Sequence, residues 1–241
     1  MIVLGIESVT SHLSVALIKD KTVLALSEEA ESRSHSDKIM GLIDKTMRDA
    51  GIGKRDVDLI AVDNGPGAFT SLRVGVTTAR ALAQFGKHPI VAVNSLDVLK
   101  ENAYESGISQ GDHEEFFVIP MIDARKKRVY AAIYKDKMMI DGILDIEPQS
   151  LVEKLKALKG KVRIVGDGAW LYSDFWKKEL GESLELVPAE AGFLKGTHVA
   201  ILAREKFLEM GSPGYQEILP NYIRRTDAEE NLRRSEGKYH L

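Results

Sequence analysis

The chain has 241 residues, 44% hydrophobic and 29% charged, which excludes a disordered chain and is enough for one large domain or two of about 110 residues each. Its net charge of −3 excludes a uniformly basic nucleic-acid binder, while leaving room for local basic patches. With no cysteine there is no disulfide, thiolate metal site or cysteine nucleophile.

In chain order, the first 28 residues predict three short strands: VLGI, the alternating LSVALI, and TVLALS after a Lys19-Asp20-Lys21 turn. The opening MIVLGIESVT lacks the segments of a signal peptide. No apolar run approaches the roughly 18 residues of a spanning helix, so a cytoplasmic protein without membrane association is expected. A helix follows over SHSDKIMGLIDKTMRDAG. Ser36 or Asp37 is its expected cap, Gly51 its expected end, and Ile39, Leu42, Ile43, Met47 and Ala50 share one face. VDLIAV reads as a buried strand, and DNGPGAFTSLRVG as a glycine turn leading into a helix from about 70 to 85, stopped by Gly86 and Pro89. IVAV is the next strand, and Ser95 is expected to cap a helix running to about 106.

Residues 107–115, GISQGDHEE, have the composition of a linker. The pattern then restarts: FFVIPMI, RVYAAIY and KMMIDGILDI as strands, SLVEKLKAL as a helix, VRIVG as a strand. A helix over AWLYSDFWKKEL, a short strand LELV and a long last helix THVAILAREKFLEM complete it. Both stretches read βββαβαβα. That order, twice over, predicts an α/β chain with a duplicated ribonuclease H-like, actin-like (ASKHA) fold: mixed sheets in two halves with a cleft between them. The expected divisions are 1–106, 107–215 with its last helix near 197–210 packing back on the first half, and a docking segment plus mobile tail over 216–241. In that segment Ile218, Leu219, Tyr222 and Ile223 are the residues that would dock. From Arg224 on, half of the 18 residues are charged, and the two Arg-Arg pairs either stay solvated or touch phosphate.

A nucleotide in such a cleft needs small residues with free N–H groups and an acid for hydrated magnesium. The first half offers Glu7, Ser8 and Thr10, and the second Asp123 and Arg125, neither with a glycine in place. Gly166-Asp167-Gly168, between a strand and a helix, either admits a phosphate or serves as a tight connector. No P-loop or dinucleotide motif is complete. The six histidines, His12, His35, His88, His113, His198 and His240, show no metal-ligand spacing, and no GxSxG elbow is present. His35 beside Arg33 reads as a surface or capping pair.

The sharper signal lies in the helix after the glycine turn. At 100° per residue Leu72, Val76, Ala79, Leu82 and Ala83 share one face, while Val74, Ala81 and Phe85 lie nearly opposite. A helix on the surface of a monomer needs one apolar face, so the second is expected to meet another protein.

The strings GIESVTSHLSVAL, RSHSDKIMGLIDKTM, NGPGAFTSLRVGVTTARALA, PMIDARKKRVYAAIY, GDG and PNYIRR, in this order, resemble the TsaB family of tRNA threonylcarbamoyladenosine biosynthesis proteins. The match is dense over residues 1–100, looser to 160 and thin afterwards. The resemblance implies a non-catalytic relative of the TsaD transferase, which it would join as a heterodimer. A TsaE-like ATPase would join both, tRNA would be met through the complex, and the chain alone would form a homodimer. It implies no cofactor of its own. It places both pairings on the helices at 36–50 and 70–86, with Ile39, Leu42, Ile43, Met47, Leu72, Val74, Val76, Thr78, Ala81, Leu82 and Phe85 as candidate contacts. TsaD carries metal-binding histidines after the strand matching IVAV, where this chain reads Asn94 to Leu99 without one. The family's usual Asp-Thr-Ser start is Glu7-Ser8-Val9 here, which leaves Glu7, Ser8, Thr10, Asp123, Arg125, Gly166, Asp167 and Gly168 as candidates for a vestigial cleft. The alternative is an active enzyme of the same architecture, a small-molecule kinase or glycopeptidase-like hydrolase.

Overall fold

A computed structural model describes residues 1–30, 34–106 and 116–224. The expected linker at 107–115 and the tail beyond 224, with its second Arg-Arg pair, lie outside the described residues, as do Arg33, His113 and His240. Among the described residues, ten strands and seven α-helices are laid out in two matching series. The first is β1 (Ile2–Glu7), β2 (Leu13–Lys19), β3 (Thr22–Glu29), α1 (His35–Ala50), β4 (Leu59–Asp63), α2 (Phe69–Gly86), β5 (Ile90–Val93) and α3 (Ser95–Glu105). The second is β6 (Phe116–Asp123), β7 (Val129–Lys135), β8 (Met138–Ile146), α4 (Pro148–Lys156), β9 (Lys161–Val165), α5 (Asp167–Leu171), α6 (Ser173–Leu180), β10 (Leu184–Leu186) and α7 (Gly196–Met210).

Each series builds one five-stranded sheet, and the two have the same strand order, β3-β2-β1-β4-β5 and β8-β7-β6-β9-β10. In each, the first three strands form an antiparallel meander and the last two run parallel to the first. This is the duplicated α/β ribonuclease H-like architecture.

The central strands are buried on both faces, which parallel pairing imposes by placing helices on each side. Along β1 and β4, Leu4, Ile6, Ile60 and Val62 join the core under α1 and α2, while Val3, Leu59 and Ala61 join the core on the opposite face. That second face is covered by α7, which packs on β1, β2, β4 and β5. In return α3 packs on β6 and β9, and α3 and α7 touch each other. Each sheet thus borrows a middle helix from the other series, and one apolar core runs through Val118, Tyr134, Leu99 and Val199. The outer face of the second sheet closes on α4 and α6 around Trp176.

Several local details depart from expectation. Asn94, not Ser95, caps α3, its side chain accepting the N–H of Leu96 at 2.8 Å. Ser95 is drawn away to donate to Asp63 Oδ1 at 2.6 Å. Ser34 rather than Ser36 stands at the start of α1, its hydroxyl donating to Asp37 at 2.6 Å. Gly51 ends α1 in the left-handed conformation, as its lack of Cβ permits. Gly86 stays inside α2, and Lys87 at φ 57 ends it. The helix expected over 169–180 is broken at Tyr172, whose φ of −118° is not helical.

The contact between β1 and α7 is close enough to require glycine. A Cβ on Gly5 would lie 2.2 Å from the carbonyl oxygen of Gly196 and 2.9 Å from Ala200. Because the opposing atoms are backbone, no rotamer relieves the clash. Gly5→Ala is expected to destabilise the protein by about 1–3 kcal/mol through overpacking, read as a lower urea midpoint in equilibrium unfolding.

Candidate functional site

Two concave features are candidates: a polar cleft at the carboxyl ends of the parallel strands, where open α/β sheets place ligands, and an apolar groove between α1 and α2.

The cleft has a volume of about 590 Å³. The β1–β2 loop (Val9, Thr10, Ser11) and the start of α2 form one wall, and Asp123, Arg125, Lys126 and Asp167 the other. Of the residues named from sequence, Thr10, Asp123, Arg125 and Asp167 reach it. Asp167 Oδ1 accepts the N–H of Asp123 at 2.9 Å, and Arg125 pairs with Asp123 at 3.2 Å. Burial raises the Asp167 carboxyl above its ordinary range, against the hydrogen bonds from Asp123 and Gly168. Arg125, Lys126 and Lys127 are all left-handed, with φ of 60°, 51° and 59°, so the β6–β7 loop turns sharply at the cleft rim.

Glu7, Ser8, Gly166 and Gly168 do not line the cleft. Glu7 and Ser8 are fully enclosed, because β1 carries them beneath the loop that follows. The Glu7 carboxylate turns back to accept the N–H of Val9 at 2.9 Å, and Ser8 Oγ donates to the Ser71 carbonyl at 3.0 Å. A Cβ on Gly166 would sit 2.1 Å from the Met121 carbonyl oxygen, and one on Gly168 would sit 2.9 Å from the carbonyl carbon of Ile122. The GDG turn is therefore a tight connector against β6. α5 has five residues, too few for a developed dipole.

Asp63 escaped the sequence reading. It ends β4 beside Glu7, which ends β1 in the neighbouring parallel strand. Its Oδ1 accepts from Gly65 N at 2.8 Å and from Ser95 Oγ, and both acids are 0% exposed. Burial raises the Glu7 carboxyl well above its ordinary value, helped by the charge and hydrogen bond of Asp63. Burial likewise raises Asp63, to about 6. The shared position, last residue of a central strand before a loop, was the signal that pairs them.

The segment expected to dock forms a strap. Ile218 is buried against the core under α2, and Asn64 binds both the Leu219 carbonyl, at 3.0 Å, and the Asn221 N–H, at 2.7 Å. Leu219, expected to dock by its side chain, is exposed and docks by its backbone instead. Tyr222 packs at a tilt against the Phe69 ring and accepts from Arg73 Nε at 2.7 Å. Arg224 then reaches the other sheet, donating to both Asp145 oxygens at 2.9 and 3.1 Å and to the Ala124 carbonyl at 3.1 Å. The segment from Ile218 to Arg224 is a clasp across the cleft mouth.

The groove between α1 and α2 encloses about 550 Å³. Ile43 and Met47 of α1 and Thr78, Ala81, Leu82 and Phe85 of α2 line it. Phe85 is 83% exposed and Met40, at the same groove, 42%. Ile39, Ile43, Met47, Leu72 and Val76, candidate contacts from sequence, are buried in the chain's own core, because their positions face the sheet. Only Ile43 and Met47 among them also form part of the groove wall. Leu42 and Val74 are half-buried against the same core, which Tyr215 and Ile218 complete. Thr78, Ala81, Leu82 and Phe85 remain for a second surface.

Among the described residues no group of three or more His, Asp or Glu side chains could hold a metal ion, and no helix is long and apolar enough to cross a membrane. A family model described as TsaD, tRNA N6-adenosine threonylcarbamoyltransferase, matches residues 26–231. The tRNA threonylcarbamoyladenosine biosynthesis protein TsaB of Bacillus subtilis (strain 168) is 28% identical over 233 residues, covering 95% of this chain and 96% of that protein. A Pseudomonas aeruginosa crystal structure described as similar to peptidase YEAZ superposes with a TM-score of 0.77 at 24% identity, covering 92% of this chain and 99% of that one. The ROK hexokinase of Thermus thermophilus shares the fold at a TM-score of 0.52 and 13% identity, over 87% of this chain and 100% of that one.

The clasp has a stability consequence. Burial pushes the Asp145 carboxyl up, but Arg224 and Arg128 outweigh it and hold it below its ordinary value. A depressed carboxylate stabilises above its unfolded pKa, and that stability is lost as pH falls through the folded value. Arg224→Ala is expected to cost about 1–3 kcal/mol at pH 7 and to reduce the loss of stability on acidification toward pH 3, both measured by urea unfolding.

Proposed function

Because the chain belongs to the TsaB branch of the tRNA N6-adenosine threonylcarbamoyltransferase (TsaD) family, we propose that it serves tRNA threonylcarbamoyladenosine biosynthesis as a non-catalytic scaffold. It pairs with a TsaD-like transferase, a TsaE-like ATPase joins the pair, and tRNA is met through the assembled complex. The α1–α2 groove is the docking surface, and the same surface closes a homodimer when the transferase is absent.

The observation that carries this reading is the second apolar side of α2. Its inner face, with Leu72, Val76, Ala79 and Ala83, is already spent on the sheet. Yet Phe85 stands in solvent beside Ala81, Leu82 and the exposed Met40 of α1, over an apolar hollow. Burying a phenylalanine side chain is worth about 1.5–3 kcal/mol, and an anchor of this kind at the centre of a groove is what protein partners use. Lys54 and Asp44, 3.8 Å apart, give the groove a mixed-charge rim, suited to a partner patch that is apolar at its centre and polar around it.

The enzymatic alternative draws less support. A kinase-like site would want the acid at the end of β1 facing the cleft, and Glu7 is turned into the protein interior.

The test uses Ala81→Glu with Phe85→Glu, since Val74 is half-buried against the core and its replacement would unfold as well as unpair. The expected outcome is at least tenfold weaker capture of a TsaD-like transferase, and a monomer by light scattering, with an unchanged melting temperature. Undiminished capture by the folded double variant would overturn the docking surface. Isothermal titration with magnesium–ATP on the isolated chain checks the alternative: turnover there would replace the scaffold reading.

A further inference from the structure

The Glu7 and Asp63 side chains each have an oxygen, Oε2 and Oδ2, that is buried and reaches no donor among the described residues. Two ionised carboxylates side by side in a site closed to water would repel at short range with nothing to screen them. We infer that Glu7 and Asp63 share a single proton through these two oxygens, and that this proton latches the cleft loop to the turn that launches α2.

The connections on either side give the latch its reach. Through Oε1, Glu7 holds the N–H of Val9 at 2.9 Å and that of Thr10 at 3.4 Å, which fixes the β1–β2 loop at the cleft. Through Oδ1, Asp63 holds Gly65 N in the glycine turn and Ser95 Oγ at the first turn of α3. A shared proton makes one continuous chain of hydrogen bonds from the cleft wall, across two strand ends, to the starts of α2 and α3. Without it, two buried charges face each other and both loops lose their anchor.

The neighbouring groups reinforce rather than relieve this. Asp97 on α3 adds negative charge near Asp63, and is itself held by the Tyr134 hydroxyl at 2.9 Å, with Lys100 3.8 Å away. β2 presents Ser14 opposite Glu7. α2 presents Ser71 and Gly75 beside Ser8, and α7 meets β1 through Gly196 and Ala200; none of these ionises. On α1, His35 donates to the Thr10 carbonyl at 2.7 Å, from the loop's other side.

The sign follows from the raised carboxyls. The folded chain keeps a proton that the unfolded chain has released above the ordinary carboxylate range. The latch's stability is therefore fully present below that range and is lost as pH rises through the pair's folded value. Through that window the folding equilibrium constant falls by up to tenfold per pH unit for one retained proton.

The experiment follows urea unfolding of the full chain between pH 4.5 and 8, for the wild type, Glu7→Gln and Asp63→Asn. Either amide supplies an N–H in place of the proton, so each single variant is expected to lose the tenfold-per-unit slope and to be more stable than the wild type at pH 8. The double variant, with two amides facing each other, can still form one N–H···O bond and serves as the uncharged reference. A direct readout needs no unfolding: at pH 6 the wild type should show a protonated-carboxyl band in the infrared difference spectrum against Glu7→Gln. Hydrogen exchange at Val9, Thr10 and Gly65 should rise with pH beyond the intrinsic rate in the wild type only. A wild-type slope retained in both single variants, or no protonated-carboxyl band, would overturn the latch. Restoration of the pH 8 stability by millimolar magnesium would overturn it as well, making the pair a cation site instead.

Discussion

The structure depends on one constraint: the central strands of both sheets are apolar on both faces, while each series of elements supplies enough helices near it to cover only the outer one. β1 and β4 turn Leu4, Ile6, Ile60 and Val62 toward α1 and α2, and Val3, Leu59 and Ala61 the other way. The second face is closed by α7, which comes from the far end of the chain, and the second sheet is closed by α3 in exchange. The two sheets cannot separate without uncovering both middle helices. The contact is tight enough that Gly5 meets the backbone of α7 directly.

The cleft is a by-product of that arrangement. Since both sheets run their parallel strands toward the same mouth, the loops after β1, β4, β6 and β9 converge there. What fills those loops decides what the cleft can do. Here the acids at the two strand ends are turned inward to organise backbone, the GDG turn packs against β6, and a C-terminal clasp from Ile218 to Arg224 spans the opening. Thr10, Asp123, Arg125 and Asp167 still line the cleft, while Glu7 and the two glycines of the GDG turn hold the protein together.

The groove on the opposite side of the first sheet follows another logic. α1 and α2 each spend one apolar face on the sheet, yet a hollow is left between them, and Phe85 and Met40 stand exposed on its wall. The surplus of apolar surface sits on α2, the helix that the glycine turn aims. The turn and the acid pair beneath it stand at one end of α2, and Phe85 stands at the other.

Periodicity alone determined the order of elements, the duplication and the two-sided character of α2, because alternation along strands and the 3.6-residue repeat along helices are local properties. The left-handed end at Gly51 was legible for the same reason. The competition between Asn94 and Ser95 was not, since Ser95 is claimed by Asp63, 32 residues away in sequence. Nor was the inward turn of Glu7, the role of Arg224 on Asp145, or the half-burial of Val74, which periodicity places with Phe85 but which packs against the core. Each of these depends on which residue of a distant element arrives opposite. That is decided only when the two sheets exchange their middle helices and bring the ends of β1 and β4, and the two sides of the cleft, into contact.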